Sequence, residues 1–408
     1  MALSVFDSLT LPNGTILPNR IAKAAMEENM AACGHLPGES IINLYKTWSS
    51  GGMGLMITGN VMVDHRAMTG PGGISLEAET NLEPFKKWAK AGKQNGTHMW
   101  MQINHPGRQV FAAMGGKVLS PSDIALDMGK HSKLFGQPTP MTEDDIQELI
   151  QRFATTASRA VEAGFNGVEI HAAHGYLISQ FLSPLTNHRT DQWGGSLENR
   201  ARLLYEVVKA VKAALPKDAA VAVKLNSADF QRGGFDQADA IEVVKALGEL
   251  NVDLVELSGG SYESPAMQGN TADGRTLARE AYFLEFAKEI AKEAAMPIMT
   301  TGGIVRFPIA QEVLAEGVDM IGLGRALAYA PKLPNQWKLN SEEKALLPDV
   351  KWKDKTLAAM ATMAITKRQF KRMGKGLQPK LNSSPLFSLI LDQIYLKKLT
   401  KIYRNLYR

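Results

Sequence analysis

The sequence predicts an α/β chain wound as a (β/α)8 TIM barrel, followed by a basic, helical C-terminal extension. Three observations carry this. Eight short β-rich runs alternate with helical patterns across residues 1–340. Several runs are near-continuous apolar stretches, the pattern of parallel strands buried on both faces. Eight such units in about 300 residues also match a barrel of about 250 residues plus insertions. A doubly wound open sheet is the main rival.

Strands are expected at Ile21–Ala25, Gly54–Thr58, Met99–Ile103, Gly167–His171, Val221–Leu225, Leu254–Leu257, Ile298–Thr301 and Met320–Gly322. The segment from Thr142 to Ala163 shows what separates them. Thr142 suits an N-cap, and the three acids after it suit the positive end of a helix. Ile146, Leu149, Ile150, Phe153, Ala157, Ala160 and Val161 fall on one face at helical spacing, and Gly164 is a natural stop. Phe307–Glu316 repeats the scheme, closed by Gly317. Residues 104–141, rich in Gly, Pro and Ser, read as an insertion, either a lid or substrate loop or a passive surface excursion.

The chain has 408 residues, 45% hydrophobic and 21% charged. That balance excludes disordered and collagen-like classes. Apolar runs fall far short of the roughly 20 residues of a membrane span. The first residues, MALSVFDSLT, lack a basic stretch followed by an apolar one, so no signal peptide is expected. A single cysteine, Cys33, cannot form an intrachain disulfide or supply a multi-thiolate zinc or iron–sulfur site. A reducing, cytoplasmic setting is expected. Residues 341–408 hold 15 Lys/Arg against 5 Asp/Glu, and the first 340 hold 31 against 36. The basic balance belongs to the tail, so no nucleic-acid footprint is expected over the protein.

In such a barrel, functional groups gather at the C-terminal ends of the strands. The third strand ends in Gln102-Ile103-Asn104-His105, and the fourth in Glu169-Ile170-His171-Ala172-Ala173-His174-Gly175-Tyr176. The fifth supplies Lys224, the seventh Gly302 and Gly303, the eighth Gly324 and Arg325. Glycine-rich loops after the last two strands let backbone N–H groups approach a phosphate, and Arg325 offers a planar fork for its oxygens. Two imidazoles three residues apart suit donation to a carbonyl oxygen better than a metal, which needs further ligands. Tyr176 is a nearby proton donor. Each residue also has a plainer use: Gln102 could cap a loop, Lys224 could pair with a carboxylate, and Gly302-Gly303 could be only a turn.

Residues 171–200, HAAHGYLISQFLSPLTNHRTDQWGGSLENR, resemble the signature of the old yellow enzyme family of FMN-dependent ene-reductases. LPNRIAKAAM (17–26), MQINHPGRQ (101–109), VKLNSADF (223–230) and IGLGRAL (321–327) match in order, so the resemblance covers roughly residues 3–335. It implies an enzyme that binds FMN non-covalently, takes hydride from NADH or NADPH, and passes it from flavin N5 to an α,β-unsaturated carbonyl substrate. Ala25 and Met26 would line the flavin, with Gly59 beyond the second strand. Gln102 would bond the pyrimidine edge, and Lys224 would sit near N1 and O2. Gly302, Gly303, Gly324 and Arg325 would hold the phosphate. His171 and His174 would grip the substrate oxygen, and Tyr176 would deliver the proton. Three positions depart from the family pattern: Glu27 replaces a Thr, Ser or Cys near flavin O4, Lys224 replaces Arg, and Trp193 replaces Tyr. Relatives with an iron–sulfur electron route need four cysteines, so electrons here would come from a nicotinamide or a partner protein. Two alternatives remain: a phosphate-binding lyase or isomerase with Lys224 as a Schiff-base lysine, and a flavin-bearing barrel that binds a partner through its tail.

In the extension, Leu391, Tyr395, Leu399, Ile402 and Leu406 form a helical stripe. Lys397, Lys401, Arg404 and Arg408 are offset by two residues, on the opposite side. Such a helix packs on the barrel or on another subunit of a homo-oligomer, or lies on an anionic membrane surface as a peripheral contact.

Overall fold

The computed structural model describes residues 3–266 and 280–406. Eight parallel strands form the barrel: β1 (Ile21–Lys23), β2 (Leu55–Ile57), β3 (His98–Asn104), β4 (Gly167–Ala172), β5 (Ala220–Asn226), β6 (Leu254–Ser258), β7 (Ile298–Thr300) and β8 (Met320–Leu323). Each pairs with the next, and β8 returns to β1 with Gly322 beside Ala22. The ring is closed, which excludes the open sheet. β1 stops at Lys23, two residues short of the expected Ala25, and leaves Ala25, Met26 and Glu27 half-exposed at the rim.

Strand alternation sorts two cores. Ala22, Ile57, Trp100, Ala222, Leu254 and Met299 point into the barrel, and Leu9, Leu11 and Leu17 of an N-terminal hairpin join them as a plug. Val221, Val223 and Leu225 point outward into the layer between barrel and helices. Two residues above the interior apolar layer, on the same strand face, come Gln102, Lys224 and Glu256. The barrel is therefore apolar below and polar above.

The helix Glu143–Glu162 begins with a reciprocal capping box between Thr142 and Asp145, a device worth about 1 kcal/mol. It ends where Gly164 turns left-handed at φ 94°. Trp193 donates its indole N–H to the Glu143 carboxylate at 2.6 Å, so this residue ties the post-β4 segment to that helix.

The extension forms two helices, Lys355–Gly374 and Pro385–Leu406. The first lies on the barrel helix Glu39–Ser49, with Phe370 edge-on to Trp48 at 5.5 Å. The second reaches the rim, where buried Tyr403 joins Met62, Met68 and Met114 and donates to the His65 carbonyl at 2.8 Å. Its rotation differs from the expected stripe. Leu391, Ile402 and Leu406 are exposed, while Ser388, Asp392, Tyr395, Leu399 and Tyr403 turn inward. Polar contacts explain this: Arg368 bonds Ser388, and Lys371 pairs with Asp392 and lies 3.6 Å over the Tyr395 ring. Arg408 lies outside the described residues.

Candidate active site

The chain leaves β4 through a tight turn rather than a helical one. His174 adopts φ 61°, a left-handed conformation that costs a non-glycine residue free energy, and Gly175 follows at φ 72°. The turn brings three rings together. His171 meets His174 edge-on at 5.0 Å between centroids, and Tyr176 at 4.8 Å.

One proton position follows from the backbone. Ala173 N–H donates to His171 Nδ1 at 3.2 Å, which leaves the imidazole proton on Nε2 as a donor. His174 Nε2 and the Ser258 hydroxyl share a hydrogen bond at 2.7 Å, in which the serine donates when the His174 proton is on Nδ1. Burial, then the neighbouring charges, push both histidines well below the usual imidazole range. Burial and Tyr262 push the Tyr176 phenol well above its usual range. Two neutral imidazoles and one protonated phenol thus lie against one another. Affinity for a phenol-type inhibitor should therefore stay flat between about pH 6 and 8, since neither imidazole gains a proton there. A titration of inhibitor binding that tightens on the acid side of about pH 6.5 would show an imidazolium instead.

The polar layer lies beneath. Gln102 donates to Glu169 at 2.7 Å, and Lys224 forms an ion pair with Glu256. All four side chains are buried. Burial and the adjacent Glu256 carboxylate drive Glu169 well above the usual carboxyl range. The Lys224 ion pair realises its plainer sequence reading and leaves this amine poorly placed as a Schiff-base nucleophile.

Several contributors had no place in the sequence reading. The Tyr262 hydroxyl lies 3.2 Å from that of Tyr176. Tyr262 follows the end of β6, where the strand-end rule applied to the other strands would have found it. Phe135 of the 104–141 insertion leans on Tyr262 at 6.1 Å and stacks on Phe111 at 4.9 Å, so the insertion walls the site. Buried Arg108 fastens that wall: it pairs with Glu263 at 2.7 Å and donates to the carbonyls of Ile124 and Ala125. Arg108→Ala should raise KM several-fold more than it lowers kcat, because the wall loosens while the three rings stay. Steady-state kinetics check this, and an unchanged KM would make Arg108 a purely structural anchor.

Glu27 is tied to the Thr69 hydroxyl at 2.5 Å and bears electrostatically on both tyrosines. Gly59 has a packing reason: a Cβ there would lie 2.1 Å from the Glu28 carboxylate and 2.3 Å from the Met26 carbonyl. Across the rim, Gly302 (φ 120°) and Gly303 (φ 78°) make a left-handed loop against Tyr282. A Cβ on Gly324 would meet no heavy atom within 4 Å, so the space over the β8 loop is open, with Arg325 half-buried beside it. That open, glycine-lined corner fits a phosphate, and the buried amide and ammonium layer fits the polar edge of a flavin ring. Asp64, His65 and Glu77 also cluster near the rim. Their carboxylates are engaged by Arg66 and Arg152, which makes the group a charge network rather than a metal centre.

The sequence model of the NADH:flavin oxidoreductase / NADH oxidase family matches residues 4–344. The chain is 38% identical over 381 residues to the NADH-dependent flavin oxidoreductase iliE of Neonectria sp. (strain DH2), covering 87% of this chain and 50% of that protein. It is likewise 38% identical over 360 residues to the iliE protein of Hypocrea jecorina (strain QM6a), covering 82% of this chain and 89% of the relative. The chain thus spans about half of the first relative and most of the second. Among solved structures, the old yellow enzyme homologue from Zymomonas mobilis superposes with TM-score 0.72 at 26% identity, covering 84% of this chain and 95% of the other.

Proposed function

Since the chain belongs to the NADH:flavin oxidoreductase / NADH oxidase family, we propose that it is an FMN-dependent NAD(P)H oxidoreductase that reduces the C=C bond of α,β-unsaturated carbonyl compounds. The observation that carries this reading is the His171, His174 and Tyr176 cluster, in which two neutral imidazoles and one protonated phenol converge.

Each residue has a part. His171 donates from Nε2 to the substrate carbonyl oxygen, and His174 adds a second bond from Nδ1. Polarising the carbonyl this way draws charge toward oxygen as the double bond is attacked. Tyr176 gives its proton to the α-carbon, and Tyr262 holds the phenol in position. Bound FMN, once reduced by NADH or NADPH, supplies the hydride. Gly302, Gly303, Gly324 and Arg325 would hold its phosphate. Ala25, Met26 and Gly59 would line its ring, Gln102 would bond its pyrimidine edge, and Lys224 would balance charge there. Glu27 would tune that environment through its bond with Thr69. In this reading no iron–sulfur cluster takes part and the barrel carries all the chemistry. The aromatic wall of Phe111, Phe135 and Tyr262 favours substrates with an apolar body.

The test is anaerobic mixing of purified protein with NADH and with NADPH, then with a panel of enones. Bleaching of the flavin by at least one nicotinamide and its recovery with an enone are expected. Protein that carries no flavin, or whose bleached flavin no enone restores, defeats the proposal.

A further inference from the structure

We propose that the outer face of the helix Pro385–Leu406 docks on an anionic lipid surface. Leu386, Ile390, Ile394, Lys397, Lys401 and Arg404 follow one another at steps of three or four residues, and all six are exposed. Ile394 is 61% exposed and Leu386 59%. The stripe is divided along its length, apolar in its first half and cationic in its second. Phe387, Leu391 and Lys398 widen each half in kind, and all three are exposed.

The helix has one acid, Asp392, and that side chain is turned inward to Lys371. Among the described residues Lys397, Lys398, Lys401 and Arg404 make no ion pair, so four cations stand in solvent beside a bare apolar patch. This arrangement selects its partner. Two copies paired in parallel would set cation against cation. Paired antiparallel, they would press lysines onto isoleucine and leucine without a carboxylate to receive them. An anionic bilayer offers both needs at once: an apolar boundary for the first half and phosphate or carboxylate headgroups for the second. Among the described residues no helix is long and apolar enough to cross a membrane, so the contact is peripheral. The inward face is already fixed by Tyr403, Leu399 and the Lys371 contacts, so docking requires no unpacking.

The experiment uses the full chain in vesicle sedimentation. Vesicles are phosphatidylcholine alone or phosphatidylcholine with about 30% phosphatidylserine, at low and at high salt. Binding is expected to the anionic vesicles at low salt, at least tenfold weaker to the neutral ones, and largely lost at high salt. Two double variants, Ile390→Glu with Ile394→Glu and Lys397→Glu with Lys401→Glu, should each lose at least tenfold while keeping wild-type circular dichroism and thermal midpoint. Absence of pelleting at low salt overturns the proposal, as does equal pelleting of wild type and both variants. Light scattering on the same proteins gives the other overturning result: a wild-type dimer that ignores vesicles and becomes a monomer in the isoleucine variant assigns this face to a second copy.

Discussion

Tyr176→Phe is expected to slow enone reduction by about 10²–10⁴-fold, the usual scale for loss of a general acid. The phenol is buried beside His171, and burial with Tyr262 raises its pKa, so it enters the reaction protonated at any ordinary pH. Removing the hydroxyl leaves the ring and its packing intact and breaks its hydrogen bond to Tyr262, a loss of about 1 kcal/mol. The fold should therefore survive. The half-reaction with nicotinamide needs no proton from this residue and should change little. Stopped-flow measurement of both half-reactions separates the two. Equal loss in both would show that Tyr176 supports the site's shape rather than its proton transfer.

The second large effect is expected at Arg325. Arg325→Ala should weaken FMN retention roughly 10–150-fold, the equivalent of about 1.5–3 kcal/mol for charge-assisted hydrogen bonds to a phosphate. The residue stands at the start of the short helix Ala326–Tyr329, beside the open space over Gly324. Among the described residues its guanidinium has no ion-pair partner, so its removal should cost the fold little. Flavin release on dilution, followed by fluorescence, measures the effect, and circular dichroism checks the fold. A variant that keeps its flavin as tightly as wild type would move the phosphate site elsewhere.

The barrel was legible because several of its strands are short, near-continuous apolar runs that alternate with helical patterns. Burial on both faces erases the alternation of a half-exposed strand, as Ala220–Asn226 illustrates with every residue buried. The rim residues were legible because strand ends collect polar side chains that a buried strand would not otherwise tolerate. What the sequence withheld were pairings across the barrel. Glu256 carries no local mark of its bond to Lys224, and Glu169 carries none of its contact with Gln102, since strands supply each pair from positions far apart in the chain. Tyr262 and Phe135 meet through two separate loops, again without a local pattern. The rotation of the last helix was misread for a related reason. Periodicity finds the most apolar stripe, whereas Lys371 and Arg368 on the preceding helix select the face that docks.

The hairpin that plugs the barrel floor has a consequence for how the chain is made. Leu9, Leu11 and Leu17 are made about 300 residues before β8, yet they are buried by a ring that closes only when β8 reaches β1. Val5 N–H likewise waits for the side chain of Gln311. At about 5–20 residues per second, some 300 residues take on the order of 15–60 s, and through that interval the apolar plug has no floor to fill. The hairpin therefore reaches its native packing only after the last strand pair forms, so closure of the ring and burial of the plug are one late event.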